Sequence, residues 1–598
     1  MSDWRPSGRY PSLQGARYIA IDCETNDPNL ETMGPGAIRG DGYIVGVSVA
    51  TEGFKAYYPF AHEGGDNLPK DVVIRYLKRE LAGNEPKVGA NIGYDLEWLW
   101  SEGITVNGPK YDIQIAEALI DENSDDLTLE AICQKYLGKG KEETELRRAA
   151  TARGWTTDKK VKQNLWRLPA RYVGPYAEFD AEGALQVFLK QRDILAEEEL
   201  ESVFNLESRL VDVLLAVRLR GIPISYDKAE QAMVRLGQEQ RAAQKRLDDL
   251  VGFSVDVWSG KNLASAFDRL SVPYLRTDKG NPSFTADWLE SQNTQLAADI
   301  TTVRKLDRSA NVFIKNKIIG FSHKGRLHPL FKQTRQDDGG TRSGRLASSK
   351  PNMQQVPARN PILSPIIRGI FVPDDGMQFG VFDYSQQEPR VTVHYGYIRG
   401  YRGAAEARAR YIADPKSDYH QMVADMAAEI TSTPIGRKVA KTLNLGMAYG
   451  MGVYKLAANL GMSVEQAQPV LGAYHDAVPY VKLLGNEAMR LAKRRGWVKT
   501  IMGRRRHFPG GEFAHKALNA IIQGSSADMI KQALVDLHDA GHVIYNTVHD
   551  EVDCPVRDVK HAKEIVDILV NCVQLEVPLR VDAELGPSWG ETELCQEV

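Results

Sequence analysis

The sequence lacks the features that mark several large classes of protein. Its five cysteines are scattered, with no CxxC pair, which argues against a zinc site and against the disulfide framework of a secreted protein. No apolar run approaches the ~18 residues that a membrane span needs. The stretch MSDWRPSGRY at the N-terminus has no apolar signal core, so an intracellular, cytoplasmic protein is expected.

A strong charge bias is also missing. The 598 residues carry a net charge of −3, so any surface that binds nucleic acid would be a local patch. Hydrophobic residues make up 43% and charged residues 26% of the chain, as is typical of globular proteins. At roughly 150 residues per domain, the length predicts about four domains or subdomains. There is no GxxxxGK(S/T) loop, which disfavours a helicase.

Apolar periodicity predicts an α/β N-terminal region. The segments RYIAIDC (17–23), YIVGVSVA (43–50) and FKAYY (54–58) are typical of strands in one sheet, and helical patterns follow at 71–82 and 113–120. The polar, basic stretch 138–170 is interpreted as a loop-rich insertion or an exposed helix. The remaining patterns predict long helices over about 196–252, strands at 368–384 and 543–556, and mostly helix over 418–495.

Acidic residues in the N-terminal region form the first pattern of interest. Asp22 and Glu24 are two apart on a predicted strand, so both carboxylates point to one face. Taken alone, such a pair is usually a surface feature. Asp95 follows where a short apolar strand passes into a helix, and with Asn91 it could equally be a helix-capping pair.

A tyrosine and a further aspartate complete this pattern. Tyr176 and Asp180 are four apart on a predicted helix and therefore share a face, although an exposed pair would look the same. The series DxE, NxxxD and YxxxD, in this order, resembles the DnaQ-like 3′–5′ exonuclease domain. The resemblance implies that Asp22, Glu24, Asp95 and Asp180, here named the first acid cluster, bind two divalent metals, and that Tyr176 orients the attacking water.

Two more aspartates stand at predicted strand ends near the C-terminus. Asp383 follows the apolar strand in GVFDYSQQEPR, and Asp550 lies in the turn of VIYNTVHDEVDCPV. A solvated turn explains either one alone. If the two strands are neighbours, however, Asp383 and Asp550, here named the second acid pair, form another site for two metals. Two cations about 3.5–4 Å apart stabilise both attacking and leaving oxygens in phosphodiester chemistry.

A basic helix is predicted between these aspartates. In GRKVAKTLNLGMAYGMG, the residues Arg437, Lys441, Leu445 and Tyr449 are spaced by four and form one stripe on a helix. Cations followed by an aromatic ring would suit a nucleoside triphosphate laid along the stripe. A solvated basic helix that ends at Gly450 is the plainer alternative.

Together these segments resemble the family A DNA polymerases. DYSQQEPR, RKVAKTLNLGMAYG and VHDEV are similar to motifs A, B and C of the family, and TRSGRLASSKPNMQQVP and ALNAIIQGSSADMIK are similar to two further conserved segments. The resemblance implies a multidomain α/β and α+β chain, with an RNase H-like exonuclease domain before a right-hand polymerase. The expected boundaries are 1–195 for the exonuclease, 196–340 for the thumb and connecting helices, 341–417 and 496–598 for the palm, and 418–495 for the fingers.

The resemblance also implies roles for individual residues. Asp383 and Asp550, with the backbone carbonyl of Tyr384, would bind catalytic metals. The residues expected at the triphosphate are Arg437, Lys441 and His420. Those expected at the incoming nucleotide are Tyr449, Leu445 and Glu388, where Glu388 blocks a ribose 2′-hydroxyl. Those expected in the minor groove near the primer end are Arg345, Gln354, Asn519, Gln523 and His549, and Gln386 is a further expected substrate-binding residue. Minor-groove acceptors lie at similar positions in all base pairs, so such contacts test pair shape without reading sequence.

Three positions depart from the family pattern. Leu445 stands where Phe or Tyr is usual, Pro389 replaces a leucine, and His515 stands where arginine is common. Leu445 affects the expected discrimination against dideoxynucleotides, Pro389 affects where the helix after Glu388 begins, and His515 affects one expected DNA contact. The runs Lys493–Arg495 and Arg504–Arg506 are candidate phosphate contacts or solvated charges.

The expected ligands follow from the same resemblance. Hard oxygen ligands suit Mg²⁺, two per active site, with Mn²⁺ as an alternative. The expected partners are primer–template DNA, dNTPs, a single-stranded 3′ end and, in a replisome, a helicase and a single-strand-binding protein. The strand pattern starts too early for a 5′-nuclease domain, and a phage replication enzyme is expected. A single-subunit RNA polymerase and a non-enzymatic DNA-binding scaffold are the alternatives.

Overall fold

The structure is a computed structural model that describes residues 3–141, 143–335, 341–358, 360–430, 435–448 and 451–598. Within these residues, two five-stranded sheets lie far apart in sequence, and each carries one of the two acidic groups. No helix in the described part is both long and apolar enough to cross a bilayer. The mixed α/β architecture expected from the sequence is confirmed.

The N-terminal sheet is buried on both faces. Its strands lie in the order Phe54–Pro59, Tyr43–Thr51, Ile19–Asn26, Lys87–Gly89 and Lys110–Asp112. The first three are antiparallel and the last two run parallel to the central strand. The packed helices are Leu30–Met33, Lys70–Leu81, Ile92–Ser101, Ile113–Ile120, Leu129–Leu137 and Ala170–Glu197. The strands and helices predicted over residues 17–120 are confirmed.

The basic stretch 138–170 is more ordered than the sequence interpretation allowed. It contains the short helices Thr144–Thr151 and Asp158–Asn164 and a 3₁₀ turn at Leu165–Arg167. Leu146, Val161 and Leu165 pack against Tyr57 and Tyr176 in a small core of their own. These few apolar positions stand among many charges, so no helical period was visible in the sequence.

Long helices connect the two sheets. The helices are Glu201–Arg220, Tyr226–Val251, Gly260–Arg269, Ala286–Ser291, Gln295–Asp307 and the π-helical Arg308–Ile319. Short strands lie at Ile222–Pro223, Leu275–Arg276, Pro282–Ser283, Ser322–His323, Arg326–Leu327, Leu330–Lys332 and Ala347–Ser349. The long helices expected between 196 and 252 are confirmed. They are interrupted at Gly221, whose φ of 67° suits glycine.

The C-terminal sheet is antiparallel throughout. Its order is Asn546–Val548, Glu551–Val556, Gln378–Tyr384, Val581–Gly586 and Glu593–Leu594. The strand predicted over 368–384 is too long: residues Leu363–Arg368 are helical and only Gln378–Tyr384 is strand. Pro373 and Gly376, which has a φ of 77°, break the extended run between them.

Helices cover this sheet and extend away from it. They are Gln387–Ile398, Ala404–Ala413, Tyr419–Ile430, Arg437–Ala448, Val453–Leu460, Val464–Ala477, Pro479–Arg495, Ala517–Asp539 and Val559–Asn571. Smaller elements are the strands Trp497–Lys499 and Arg505–His507 and the 3₁₀ turns Met353–Gln355, Pro509–Gly511 and Ala514–Lys516. The mostly helical interpretation of 418–495 is confirmed. Pro389 lies in the first turn of Gln387–Ile398, where proline is tolerated.

Candidate active sites

The first acid cluster assembles on the N-terminal sheet. Asp22 and Glu24 project from the same face of the strand Ile19–Asn26, and Asp180 faces them from the helix Ala170–Glu197. One oxygen from each of these three carboxylates lies within 4.8 Å of the other two. Three oxygen donors at that spacing form a group that could hold a metal ion.

Asp95 is not one of these three mutually close carboxylates but binds the strand that carries Asp22 and Glu24. Its Oδ1 accepts a hydrogen bond of 2.8 Å from the backbone N–H of Cys23, the residue between Asp22 and Glu24. The capping alternative is not what the structure shows. Asn91 occupies the N-cap position with a left-handed backbone, but its side chain makes no capping hydrogen bond.

The carboxylates of the first acid cluster repel one another. Burial and then the charge of Asp180 raise the pKa of Asp22 to about 7. Burial and then Asp22 raise the pKa values of Glu24 and Asp95 well above their usual ranges. In addition, Asp180 Oδ1 is buried without a hydrogen-bond partner among the described residues. Crowded oxygens and an unpaired acceptor fit a divalent cation, which would relieve both.

A lysine that the sequence analysis did not single out enters the same site. Lys141 Nζ donates hydrogen bonds to Asp180 Oδ2 at 2.7 Å and to the Tyr176 hydroxyl at 3.1 Å. Its segment, GKGKEE, is a run of small and charged residues. Nothing in that run distinguishes a buried lysine from a solvated one.

The second acid pair lies at the end of the C-terminal sheet. Asp383 stands opposite Glu551 in the pairing of Gln378–Tyr384 with Glu551–Val556. The backbone N–H of Tyr384 donates to the backbone carbonyl of Asp550 at 3.2 Å. His549 has a φ of 61° and lies in the sharp turn that joins the strands Asn546–Val548 and Glu551–Val556. The predicted adjacency of the two strands is therefore present.

Negative charge also concentrates at this second position. Burial, followed by the charges of Asp550 and Glu551, raises the pKa of Asp383 to about 8. Burial raises the pKa of Asp550 as well. Asp383 is exposed and Asp550 is half-buried, so both carboxylates are accessible to an ion. Two acidic side chains at neighbouring strand ends fit a divalent metal, which prefers oxygen ligands.

A cavity of about 200 Å³ opens beside the second acid pair. Its lining includes six of the predicted site residues: Arg345, Gln354, Gln386, Glu388, His549 and Asp550. Arg345 donates a hydrogen bond to the Glu388 carboxylate at 2.7 Å. Glu388, which is predicted to block a ribose 2′-hydroxyl, is therefore held in place by a residue predicted to contact the minor groove. Gln386 bonds away from the cavity: its side chain accepts from the N–H of Tyr419 and donates to the carbonyl of Ser417.

The predicted triphosphate-binding residues lie on neighbouring helices. Arg437 Nε is 3.1 Å from Asp418 Oδ2, and Lys441 is exposed one turn later on the helix. The His420 Nδ1 atom lies 2.9 Å from the Asn444 amide nitrogen. Tyr449 and the side chain of Leu445 lie outside the described part of the chain.

Asn519 and Gln523 lie one turn apart in the helix Ala517–Asp539. The Asn519 Oδ1 atom is buried and has no hydrogen-bond partner among the described residues, so this amide retains an acceptor for a ligand. His515 is exposed in the 3₁₀ turn before this helix. Neither Asn519 nor Gln523 lines the cavity beside Asp550.

The phosphate-contact interpretation of Arg504–Arg506 is wrong for Arg504. This side chain is buried and forms ion pairs with Glu207 and Asp528. Arg505 pairs with Glu198 at 3.0 Å, and Arg506 pairs with Glu122. All three arginines therefore bind carboxylates, two of which belong to residues before 200. By contrast, Lys493 and Arg494 are exposed.

Comparison with known proteins follows the same division of the chain. The family model of DNA polymerase family A matches residues 226–591. The chain belongs to DNA polymerase family A. A 3′-5′ exonuclease model matches residues 10–196 of the polymerase, which places the first acid cluster within the exonuclease match and the second acid pair within the family A match.

The similar proteins found are also DNA polymerases. The polymerase is 36% identical to a DNA-directed DNA polymerase of Pseudomonas phage M6, over 99% of this chain and 97% of the relative. It is 29% identical to DNA polymerase DpoZ of Acinetobacter phage SH-Ab 15497, over 97% and 98%. The POL domain of Pol1 from M. smegmatis, solved in complex with DNA primer-template and dNTP, superposes with a TM-score of 0.75 at 25% identity, covering 92% of this chain and 94% of that one.

These matches decide between the functional alternatives. The polymerase is a DNA-directed DNA polymerase with a 3′–5′ exonuclease domain, of the type found in phages. The single-subunit RNA polymerase and the non-enzymatic scaffold are therefore not supported.

Proposed function

We propose that this polymerase copies DNA at the second acid pair and trims mismatched primer ends at the first acid cluster, in phage DNA replication. The observation that carries the proposal is the separation of two acidic sites on two sheets, each within its own family match. Residues 1–195 would form the exonuclease, 196–340 the thumb and connecting helices, 341–417 and 496–598 the palm, and 418–495 the fingers.

In the copying reaction, Asp383 and Asp550 hold the reacting centre at the strand ends. Tyr384 contributes its backbone carbonyl, and Arg437, Lys441 and His420 neutralise the triphosphate. Because Arg437 is paired with Asp418 here, this ion pair opens when the triphosphate arrives. Arg437 and Lys441 then stabilise the charge that builds on the pyrophosphate leaving group.

Selection of the nucleotide takes place in the cavity beside Asp550. Glu388, fixed by Arg345, occupies the space of a ribose 2′-hydroxyl. Tyr449 and Leu445 would contribute to the same selection, as the resemblance to the family implies. Gln386 ties this part of the palm to the start of the helix Tyr419–Ile430, so its effect on the substrate is indirect. Arg345, Gln354, Asn519, Gln523 and His549 contact the minor groove of the newly formed pairs.

In the trimming reaction, Asp22, Glu24, Asp95 and Asp180 surround the phosphodiester of a single-stranded 3′ end. The Tyr176 hydroxyl, held near Asp180, orients the attacking water. Discrimination by pocket shape followed by removal at a separate site is the logic of editing.

Mg²⁺ fits both acidic sites because their donors are carboxylate oxygens, and Mn²⁺ fits the same donors. When bound, two such cations supply positive charge to the attacking and leaving oxygens. Primer–template DNA and dNTPs are the substrates of copying, and a replicative helicase and single-strand-binding protein are the partners that replication requires. The host cytoplasm is the location that a phage replication enzyme implies.

Primer extension tests the proposal in one assay. With Mg²⁺, a labelled primer and all four dNTPs, we expect lengthening, and without dNTPs we expect shortening from the 3′ end. A parallel reaction with rNTPs should extend far less, because Glu388 excludes the 2′-hydroxyl. A chain that lengthened the primer equally with rNTPs, or never shortened it, would contradict the corresponding half of the proposal.

A further inference from the structure

Lys141 is a buried cation inside the exonuclease site. Its side chain is 10% exposed and that of Asp180 is 5% exposed. The ammonium group bonds Asp180 Oδ2 and the Tyr176 hydroxyl, and it lies 4.3 Å from the centre of the Tyr176 ring. Burying an ammonium group is costly unless it is paired. These contacts are therefore ones that the fold has to maintain.

Backbone contacts in the loop after the helix Leu129–Leu137 position Lys141. Gly138 ends the helix Leu129–Leu137 with a left-handed backbone, and the backbone N–H of Lys141 donates to Glu130 Oε2 at 3.0 Å. A Cβ atom at Gly140 would lie 1.9 Å from the other oxygen of Glu130. The present placement of the Glu130 side chain against Gly140 lets it accept this hydrogen bond from the backbone of Lys141.

A second lysine in the same loop shows the contrast. Lys139 is exposed, and its ammonium group lies over the Phe179 ring at 5.9 Å without reaching the carboxylates. Two lysines two residues apart therefore have different surroundings, one solvated and one enclosed by the predicted catalytic groups. Lys139 provides a matched control.

The charges of the site indicate what the enclosed lysine contributes to the reaction. The four carboxylates carry a formal charge of −4. Two divalent cations would cancel that charge, so no net positive charge would remain to attract the incoming phosphodiester. One fixed ammonium group adds the positive charge that receives it. The same ammonium group donates to both Asp180 and the hydroxyl of Tyr176, so it also sets the distance between them.

We propose that Lys141 is a positioning residue of the 3′–5′ excision reaction, which holds the Tyr176 hydroxyl against Asp180 and supplies one permanent positive charge to the first acid cluster. The proposal rests on the proposed function of that cluster. It predicts two effects of opposite direction. Without Lys141, the carboxylates bind metal ions more strongly, because the positive charge that repels a cation is gone. Excision nevertheless slows, because Tyr176 and Asp180 lose the ammonium group that donates a hydrogen bond to both.

The test compares Lys141→Met, Lys141→Arg and Lys139→Met in the full chain. Mn²⁺ binding is measured by calorimetry in an Asp383→Asn background, which weakens metal binding at the polymerase site. Excision of a single-stranded oligonucleotide and extension of a primer are measured in the unaltered background. Excision by the chain without these substitutions is measured first, with Asp22→Ala as the blank.

For Lys141→Met, we expect Mn²⁺ affinity to rise by about tenfold or more. We expect its excision rate to fall on the order of 10²-fold, with extension unchanged. Lys141→Arg should keep the parental metal affinity and recover part of the excision rate. Lys139→Met should match the parent in all three measurements.

Two results would overturn the proposal. Excision at the parental rate by Lys141→Met would show that the contacts have no role in the reaction. A parallel loss of metal affinity and excision would show that the lysine only supports the local fold. If the chain without substitutions extends primers but does not excise above the Asp22→Ala blank, the excision half of the proposed function fails, and the role of Lys141 fails with it.

Discussion

Arg504 forms a buried ion pair with Glu207, a residue 297 positions earlier in the chain. Lys531 binds the same oxygen of Glu207, and Asp528 accepts from Arg504 Nε at 2.8 Å. Glu207 belongs to the helix Glu201–Arg220, whereas Asp528 and Lys531 belong to Ala517–Asp539. The network therefore fastens the helix that follows the exonuclease domain to the C-terminal part of the polymerase.

Replacing Glu207 tests the strength of this connection. Burial alone would raise the pKa of Glu207, but Lys531 and Arg504 outweigh it and lower the pKa to about 2. Because the folded pKa is depressed, the stabilisation is complete above the unfolded value of about 4.5 and is lost as the pH falls toward 2. At pH 7, Glu207→Gln should cost about 3–5 kcal/mol, because it leaves the buried Lys531 without its carboxylate partner, while Arg504 keeps only Asp528.

Calorimetric unfolding at pH 7 and pH 3 measures this effect. The melting temperature of Glu207→Gln should fall well below that of the parent at pH 7, and the gap should narrow at pH 3. Glu201→Gln, at an exposed position of the same helix, is the matched control and should behave like the parent. A gap of equal size at both pH values would show that the charge of Glu207 is not responsible.

The two basic runs should differ in their response to salt. Arg506 is paired with Glu122, whereas Lys493 is exposed and no ion pair within the described ranges includes it. If Lys493 contacts a DNA phosphate, Lys493→Ala should lower the slope of log binding constant against log salt by about 0.9. Arg506→Ala should leave the slope unchanged. Binding titrations over a range of salt concentrations measure both, and the reverse pattern would restore Arg506 as a phosphate contact.

Glu388 should set the preference for deoxyribonucleotides. Shortening it in Glu388→Ala opens the space that a 2′-hydroxyl would occupy, so the ratio of kcat/KM for dNTP over rNTP should fall by at least about tenfold. Arg345→Ala releases the carboxylate from its 2.7 Å hydrogen bond and should lower the ratio by less. Single-nucleotide incorporation kinetics measure the ratio. An unchanged ratio in Glu388→Ala would show that another residue excludes the ribose 2′-hydroxyl.

Local pattern predicted most of the fold because the elements that matter are strongly periodic. The apolar runs around Asp22 and Asp383 are buried strands, and the four-residue spacing of Tyr176 and Asp180 is that of one helix face. The predicted strand over 368–384 is too long because Pro373 and Gly376, which has a φ of 77°, break the extended run before Gln378–Tyr384.

Contacts between distant charges could not be predicted in this way. The sequence favours solvated or DNA-binding roles for Arg504–Arg506, because their partners Glu207, Glu198 and Glu122 are 297, 307 and 384 residues earlier. Lys141 was missed for a related reason, since a lysine within a charged run shows no sign of burial until the chain folds. Single sequence patterns report periodicity, and these side chains take their roles from tertiary contacts.

The most direct test of the account is a comparison of Asp383→Ala with Asp22→Ala, each assayed for primer extension and for 3′ excision. Asp383→Ala should lose extension and retain excision, and Asp22→Ala should lose excision and retain extension. Loss of both activities in either variant, with the melting temperature unchanged, would contradict the division of the chemistry between two separate acidic sites.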